Sequence, residues 1–239
     1  PPLTGLDRMG GAYLGPEFSL DQVKATLDGY GAKYALLEED AMLATVAETL
    51  DSDGVVGWFQ GRMEFGPRAL CHRSIIGDAR SPRMQSVLNL KIKYRESFRP
   101  FAPVVLRDRV ADYFDWEVDS PYMLMVSGVK AERLVELSEE ERQATGMKRL
   151  LQVRSDIPAV THVDNSARIQ TIHEETNPLF HKLLQTFNER TGCPVLVNTS
   201  FNVRDEPIVC SPDDAYRCFM GTEMDMLVLG RYVLRKGDQ

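Results

Sequence analysis

Apolar positions along this chain recur in two rhythms, and the alternation between them sets the architecture. Leu20, Val23 and Leu27 repeat at helical spacing behind Ser19, a residue suited to capping, which predicts a helix over 20–27. A second, Ala/Leu-rich helix follows Asp40 and runs to Leu50. Asp51-Ser52-Asp53-Gly54 supplies a turn, and the apolar run 55–59 reads as a buried strand. Ser81-Pro82 then marks the start of a helix whose apolar residues are Met84, Val87, Leu88 and Ile92. Strands are expected at 102–106 and 122–129, with a short helix at 109–114 between them.

Downstream, 159–163 and 168–172 read as strands joined by a turn at 164–166. Asn177-Pro178 opens a helix to about residue 190 with Leu179, Leu183, Leu184 and Phe187 as its apolar stripe, and Gly192 stops it. A strand at 194–197 leads directly into the polar run 198–202. Ser211-Pro212 starts a last helix before strands at 227–229 and 232–234. Strands and helices alternate throughout, so the class is α/β. Residues 1–38 are rich in Gly and Pro and read as an arm or interdomain linker, leaving 39–239 as the domain; the charged stretch 130–152 is an excursion from it.

Charge changes this picture. The chain carries a net charge of -7, yet residues 62–109 hold eleven basic side chains against four acidic ones, so the remainder carries -14. Positive charge is therefore concentrated in one place, as an anion site requires. Overall acidity excludes a general nucleic-acid binder. No apolar stretch reaches the length of a membrane span and no secretory leader pattern precedes the first helix, so a cytoplasmic protein without membrane contacts is expected. Cys71, Cys193, Cys210 and Cys218 lack the close spacing of a zinc or redox motif and read as reduced structural thiols.

Arg62, Arg68 and Arg73 flank Gly66-Pro67, where a turn lets several guanidinium forks converge on one phosphate; surface pairs with Glu64, Asp78 and Glu96 are the alternative. Lys93 and Arg95 stand at an expected helix C-terminus, where they serve either a ligand or the helix dipole. Asn198, Thr199, Ser200 and Asn202 follow a buried strand, the position at which open α/β sheets bind ligands. His162 and Asp164 share a face if 159–163 is a strand, which makes His162 a ligand contact. No firm metal site, Walker loop or dinucleotide fingerprint is present.

With these residues assembled, 57–70, Phe98-Arg99-Pro100-Phe101-Ala102-Pro103, 158–164 and 197–202 together resemble the C-terminal domain of the O-carbamoyltransferases, which modify antibiotics and nodulation factors. The resemblance covers nearly the whole chain. It implies a YrdC-like fold, a twisted mixed sheet flanked by helices. It also implies binding of carbamoyl phosphate and ATP, with Mg²⁺ on the phosphates, to form carbamoyl-adenylate. A separate N-terminal domain of the actin/hexokinase fold, carrying a metal, would pass the carbamoyl group to a hydroxyl. A homodimer is also compatible with it.

The family's Lys-x-Arg and Ser-x-Asn elements correspond to Lys93, Arg95, Ser200 and Asn202, which the resemblance makes the catalytic set. Arg62, Arg68, Arg73, Arg99, His162, Arg168, Asn198, Thr199 and Arg204 become substrate or nucleotide contacts. Cys71-His72 stands where the family carries Gly-Asn, and Asp205 where it tends to carry Gly. A threonylcarbamoyl-adenylate synthase-like enzyme and a non-catalytic nucleotide-binding module are the competing readings.

Overall fold

A computed structural model describes Asp7 and residues 9–239. Among the described residues nine strands form one mixed sheet: β1 (Ala35–Leu36), β2 (Val56–Phe59), β3 (Arg73–Asp78), β4 (Ala102–Leu106), β5 (Met125–Gly128), β6 (Ser166–Ile172), β7 (Val195–Ser200), β8 (Met226–Leu229) and β9 (Tyr232–Arg235). Their order across the sheet is β1-β9-β8-β2-β3-β7-β4-β6-β5. The β2/β8 and β4/β6 pairs are parallel and the other neighbours antiparallel.

Seven α-helices among the described residues accompany the sheet: α1 (Leu20–Gly29), α2 (Glu39–Asp51), α3 (Met84–Val87), α4 (Glu139–Gln143), α5 (Gly146–Leu150), α6 (Pro178–Thr191) and α7 (Pro212–Met220). α2 and α6 pack on each other and against the middle strands; α7 lies against β2 and β8 with α1 beside it. The helix limits follow from local chemistry. Asn177 accepts a hydrogen bond from the Phe180 amide at the start of α6 and left-handed Gly192 ends it. Ser211 and Asp214 cap α7 reciprocally.

The α/β class follows, a mixed sheet flanked by helices, and three local expectations are corrected. β3 is fully buried between β2 and β7, although its sequence shows only Ile75-Ile76 between charged ends and was not read as a strand. The segment expected as a strand over 159–163 instead forms a 3₁₀ turn at Pro158–Val160, because proline fixes a helical φ and lacks a ladder donor. The helix expected from Ser81 through Ile92 is a short α3 continued as a π-helical turn over Leu88–Ile92.

Residues 20–37, read from the sequence as part of an arm, pack into this fold: Val23 and Leu27 join the main core and β1 pairs with β9. All four cysteines are free. Among the described residues no helix is long and apolar enough to cross a membrane.

Candidate functional site

The π-helical turn delivers the Lys-x-Arg element. The Lys93 amide donates back to the Leu88 carbonyl (2.9 Å) and the Arg95 amide to that of Asn89 (3.0 Å), which widens the turn beyond α-helical spacing. Tyr94 takes a left-handed φ of 48°. Reversing direction there sends Lys93 inward and lets Arg95 lie over the Phe101 ring, 4.9 Å from its centre. Buried Asn89 holds Arg95 Nε at 2.6 Å.

Lys93 is buried, and its ammonium is surrounded by the Ser200–Asn202 turn. It donates to the Ser200 carbonyl, the Asn202 carbonyl (2.9 Å) and Asn202 Oδ1 (2.7 Å), with Ser200 Oγ at 3.3 Å. Ser200 Oγ also donates to Asn202 Oδ1 at 2.7 Å. Burial, followed by the charge of Arg95, pushes the Lys93 pKa down to about 7. Of the four residues expected to be catalytic, Lys93, Ser200 and Asn202 therefore form one hydrogen-bonded unit, and Arg95, bonded to Asn89 instead, lines the same compartment beside it.

Phe201, between Ser200 and Asn202, anchors the turn from inside. It is fully buried, and a Cβ on Gly57 of β2 would approach its ring to 2.8 Å. Gly57→Ala is accordingly expected to displace Phe201, lower stability by about 1–3 kcal/mol as overpacked cores do and weaken the affinity of the adjoining Lys93–Ser200–Asn202 unit for inorganic phosphate in the same variant. Denaturant unfolding and calorimetry on one preparation measure both effects; unchanged affinity would separate Phe201 from the site.

Two adjoining compartments open beside this unit. The outer, about 360 Å³, is lined by Lys93, Arg95, Glu96, Arg99, Ser200, Asn202, Val203, Arg204 and Asp205. Arg99 pairs with Glu96 at 2.9 Å and Arg204 with Asp205 at 3.5 Å. The inner compartment, about 190 Å³, shares Arg95 and Ser200 and adds Arg68, Arg168, Asn198, Thr199, Phe101 and Met123 among its walls. Three guanidinium groups line it and no carboxylate does. Neither Arg68 nor Arg168 has an ion-pair partner among the described residues. Burial and then Arg68 lower the Arg168 pKa, and Arg68 Nε is buried without a partner.

The structure separates the remaining expected contacts from these compartments. Arg73 is fully buried at the head of β3; its guanidinium bonds the carbonyls of Gln60, Gly61, His72 and Pro16 and lies 3.5 Å from the Phe59 ring centre. Desolvation lowers its pKa to about 10. It holds the loop and faces no pocket. Arg62 is exposed, near Glu17 at 3.8 Å, and donates to the Gly15 carbonyl. His162 lies in the turn before β6 with Nδ1 3.2 Å from Ser166 Oγ, because the expected strand that would have aimed it is absent.

Asn198 lines the inner compartment with its amide largely engaged: Nδ2 donates to Gln170 Oε1 (2.6 Å) and the Ala69 carbonyl (3.0 Å), and Oδ1 has no partner. Sequence reasoning missed Glu64 as organiser of the arginine loop. Its Oε1 accepts from the amides of Leu70 (2.6 Å), His72 (2.7 Å) and Arg73 (3.1 Å), and a lone Glu among arginines gives no signal of that. The two departures from the family pattern also acquire a backbone reason. Cys71 (φ 80°) and Asp205 (φ 63°) both occupy the left-handed region that glycine enters without strain.

With this geometry in view, comparison with known proteins is consistent. Residues 47–236 match the family model described as carbamoyltransferase C-terminus. The chain is 57% identical over 98% of its length to an uncharacterized protein of Synechocystis sp., covering 38% of that protein. It is 35% identical over 96% of its length to nodulation protein NolO of Bradyrhizobium diazoefficiens, covering 39% of it. Against the 3'-hydroxymethylcephem-O-carbamoyltransferase of Amycolatopsis lactamdurans, identity is 36% over 72% of the chain and 28% of the relative.

The chain thus spans about two fifths or less of the length of these relatives. Its fold also resembles that in a crystal structure of full-length HypF in the phosphate- and nucleotide-bound form, with a TM-score of 0.51 at 15% identity over 80% of this chain and 25% of that one. The family match over residues 47–236 and these relatives establish that the chain belongs to the carbamoyltransferase C-terminus family.

Proposed function

We propose that this chain is the YrdC-like portion of a carbamoyltransferase that forms carbamoyl-adenylate from carbamoyl phosphate and ATP. The observation that carries the reading is the inner compartment, where Arg68, Arg95 and Arg168 converge without a carboxylate beside a second, lysine-based compartment. Two adjoining basic chambers suit two phosphorylated substrates. Arginine forks bind the small anion, and Lys93 with Ser200 and Asn202 orients the triphosphate.

In the proposed sequence, water releases phosphate from carbamoyl phosphate and leaves carbamate. A carbamate oxygen then attacks the α-phosphorus of ATP; the bond to the β-phosphate oxygen breaks and pyrophosphate departs with its electron pair. The protein's contribution is positioning and neutralisation of charge, with no covalent intermediate. Of the departures from the family pattern, Cys71 and His72 line neither chamber: His72 stacks on Tyr13, and Cys71 contacts Asn198 and Gln170, whereas Asp205 stands in the wall of the outer chamber, paired with Arg204.

For Mg²⁺ the fit is partial. Among the described residues no three His, Cys, Asp or Glu side chains converge on one point, and Glu96 and Asp205, which line the outer chamber, are engaged by arginines. The ion would enter on the nucleotide's phosphates. Transfer of the carbamoyl group to a hydroxyl acceptor would fall to a preceding metal-binding domain of the actin/hexokinase fold, within the length of the relatives that this chain does not span. The test is pyrophosphate release by the full-length protein. Release from ATP is expected only with carbamoyl phosphate present, and release supported instead by threonine and bicarbonate would replace this reading with the threonylcarbamoyl-adenylate one.

A further inference from the structure

The walls of the inner compartment are held from outside by the segment 9–16, with Asp7 beside it. The amide of Phe65 donates to the Ala12 carbonyl (2.7 Å), that of Gly15 to Met63 (2.9 Å) and that of Met63 to Pro16 (2.9 Å), so the segment runs beside the arginine loop as an added strap. Tyr13 is its main contact. The ring stacks on His72 with centres 3.8 Å apart, and the hydroxyl donates to the Leu70 carbonyl (2.6 Å) while accepting from Asn177 Nδ2 (3.0 Å) at the head of α6. Ala12 packs with Leu70, Ala102 and Met123, and the latter two line the inner compartment.

The strap adopts a costly backbone to make these contacts. Gly10, Gly11 and Ala12 have φ values of 53°, 71° and 65°, three successive left-handed residues of which one carries a side chain. A Cβ on Gly11 would stand 2.5 Å from the Tyr13 ring, so glycine is what lets the ring fold back over its own segment. Asp7 secures the turn by accepting from the Gly11 amide (2.8 Å) and from the hydroxyl of Tyr122, the neighbour of Met123. Strain persists where the surroundings over-determine it, and here the surroundings are the back of the anion chamber.

We propose that Tyr13 is a positioning residue for the inner compartment, holding the 66–72 loop so that Arg68 faces Arg168. This rests on the reading of that compartment as an anion site. Tyr13 itself lines neither chamber; it acts through the loop, bridging it to α6.

The experiment is a double-mutant cycle on the full-length protein, with inorganic phosphate as the probe in calorimetry. Tyr13→Ala is expected to weaken phosphate binding about tenfold, and Tyr13→Phe, which keeps the ring on His72, about threefold. In an Arg68→Ala background both losses should vanish, an outcome that general loosening of the fold does not produce. Tyr13→Phe carries the same cycle if Tyr13→Ala fails to fold. Wild-type affinity in the folded Tyr13 variants, or losses that persist without Arg68, overturns the proposal. Unchanged affinity in Arg68→Ala alone overturns the compartment itself, so the two failures are told apart.

Discussion

Lys93→Met in the full-length protein is expected to weaken ATP binding by about two orders of magnitude, the size of effect that follows loss of charge-assisted hydrogen bonds in a water-poor site. Methionine preserves the length of the side chain but leaves the carbonyls of Ser200 and Asn202 and the Oδ1 of Asn202 without their shared donor. The turn that bears Ser200 and Asn202 then loses its centre. A pH dependence accompanies this. Four oxygens favour the ammonium while burial and Arg95 oppose it, leaving its pKa at about 7 in the free protein.

Below that value Lys93 is charged and ready for phosphate; above it, binding must first draw a proton onto the amine. Affinity for ATP should therefore fall as pH rises above 7, and binding near pH 8 should be accompanied by proton uptake. Calorimetry in buffers of different ionisation enthalpy measures the uptake directly. Its persistence in Lys93→Met would assign the proton to another group.

Much of this arrangement was readable in the chain, and the boundary of what was readable has physical causes. Periodicity located β2, β4 and α6 because their apolar positions report burial directly, and the Ser211-Pro212 cap located α7. Periodicity passed over β3, which is buried on both faces and so shows no alternation, and whose ends are charged residues with internal partners: Arg73 with four carbonyls, Asp78 with Arg80. The Lys-x-Arg and Ser-x-Asn elements were legible as two candidate elements of a site. Their junction was not, since hydrogen bonds between residues 93 and 200 leave no local trace.

Charge counting placed the basic segment correctly but treated its arginines as equivalent. Within one loop, Arg68 reaches the chamber, Arg62 reaches solvent and Arg73 supports the backbone. The deciding factor is local: Glu64 gathers the amides of 70, 72 and 73 and turns Arg73 inward, leaving Arg68 on the opposite side of the Gly66-Pro67 bend. Only three-dimensional pairing distinguishes such roles.

That distinction yields an expectation in which affinity and stability move in opposite directions. Arg168 stands on β6 beside Arg68, half-buried and without an acidic partner among the described residues, and burial followed by the Arg68 charge raises the cost of keeping it charged. Such a pair is held against its own repulsion by the rest of the fold, as ligand sites often are. Arg168→Gln should weaken carbamoyl phosphate binding by about 30- to 100-fold, because a bidentate cation is replaced by a neutral amide. The same change should leave the melting temperature unaltered or raise it, because it removes the like charge beside Arg68 and some of the desolvation cost. Thermal unfolding without ligand and calorimetry with carbamoyl phosphate give the two numbers. A variant that melts lower and binds normally would make Arg168 a structural residue and remove one of the three cations on which the anion chamber depends.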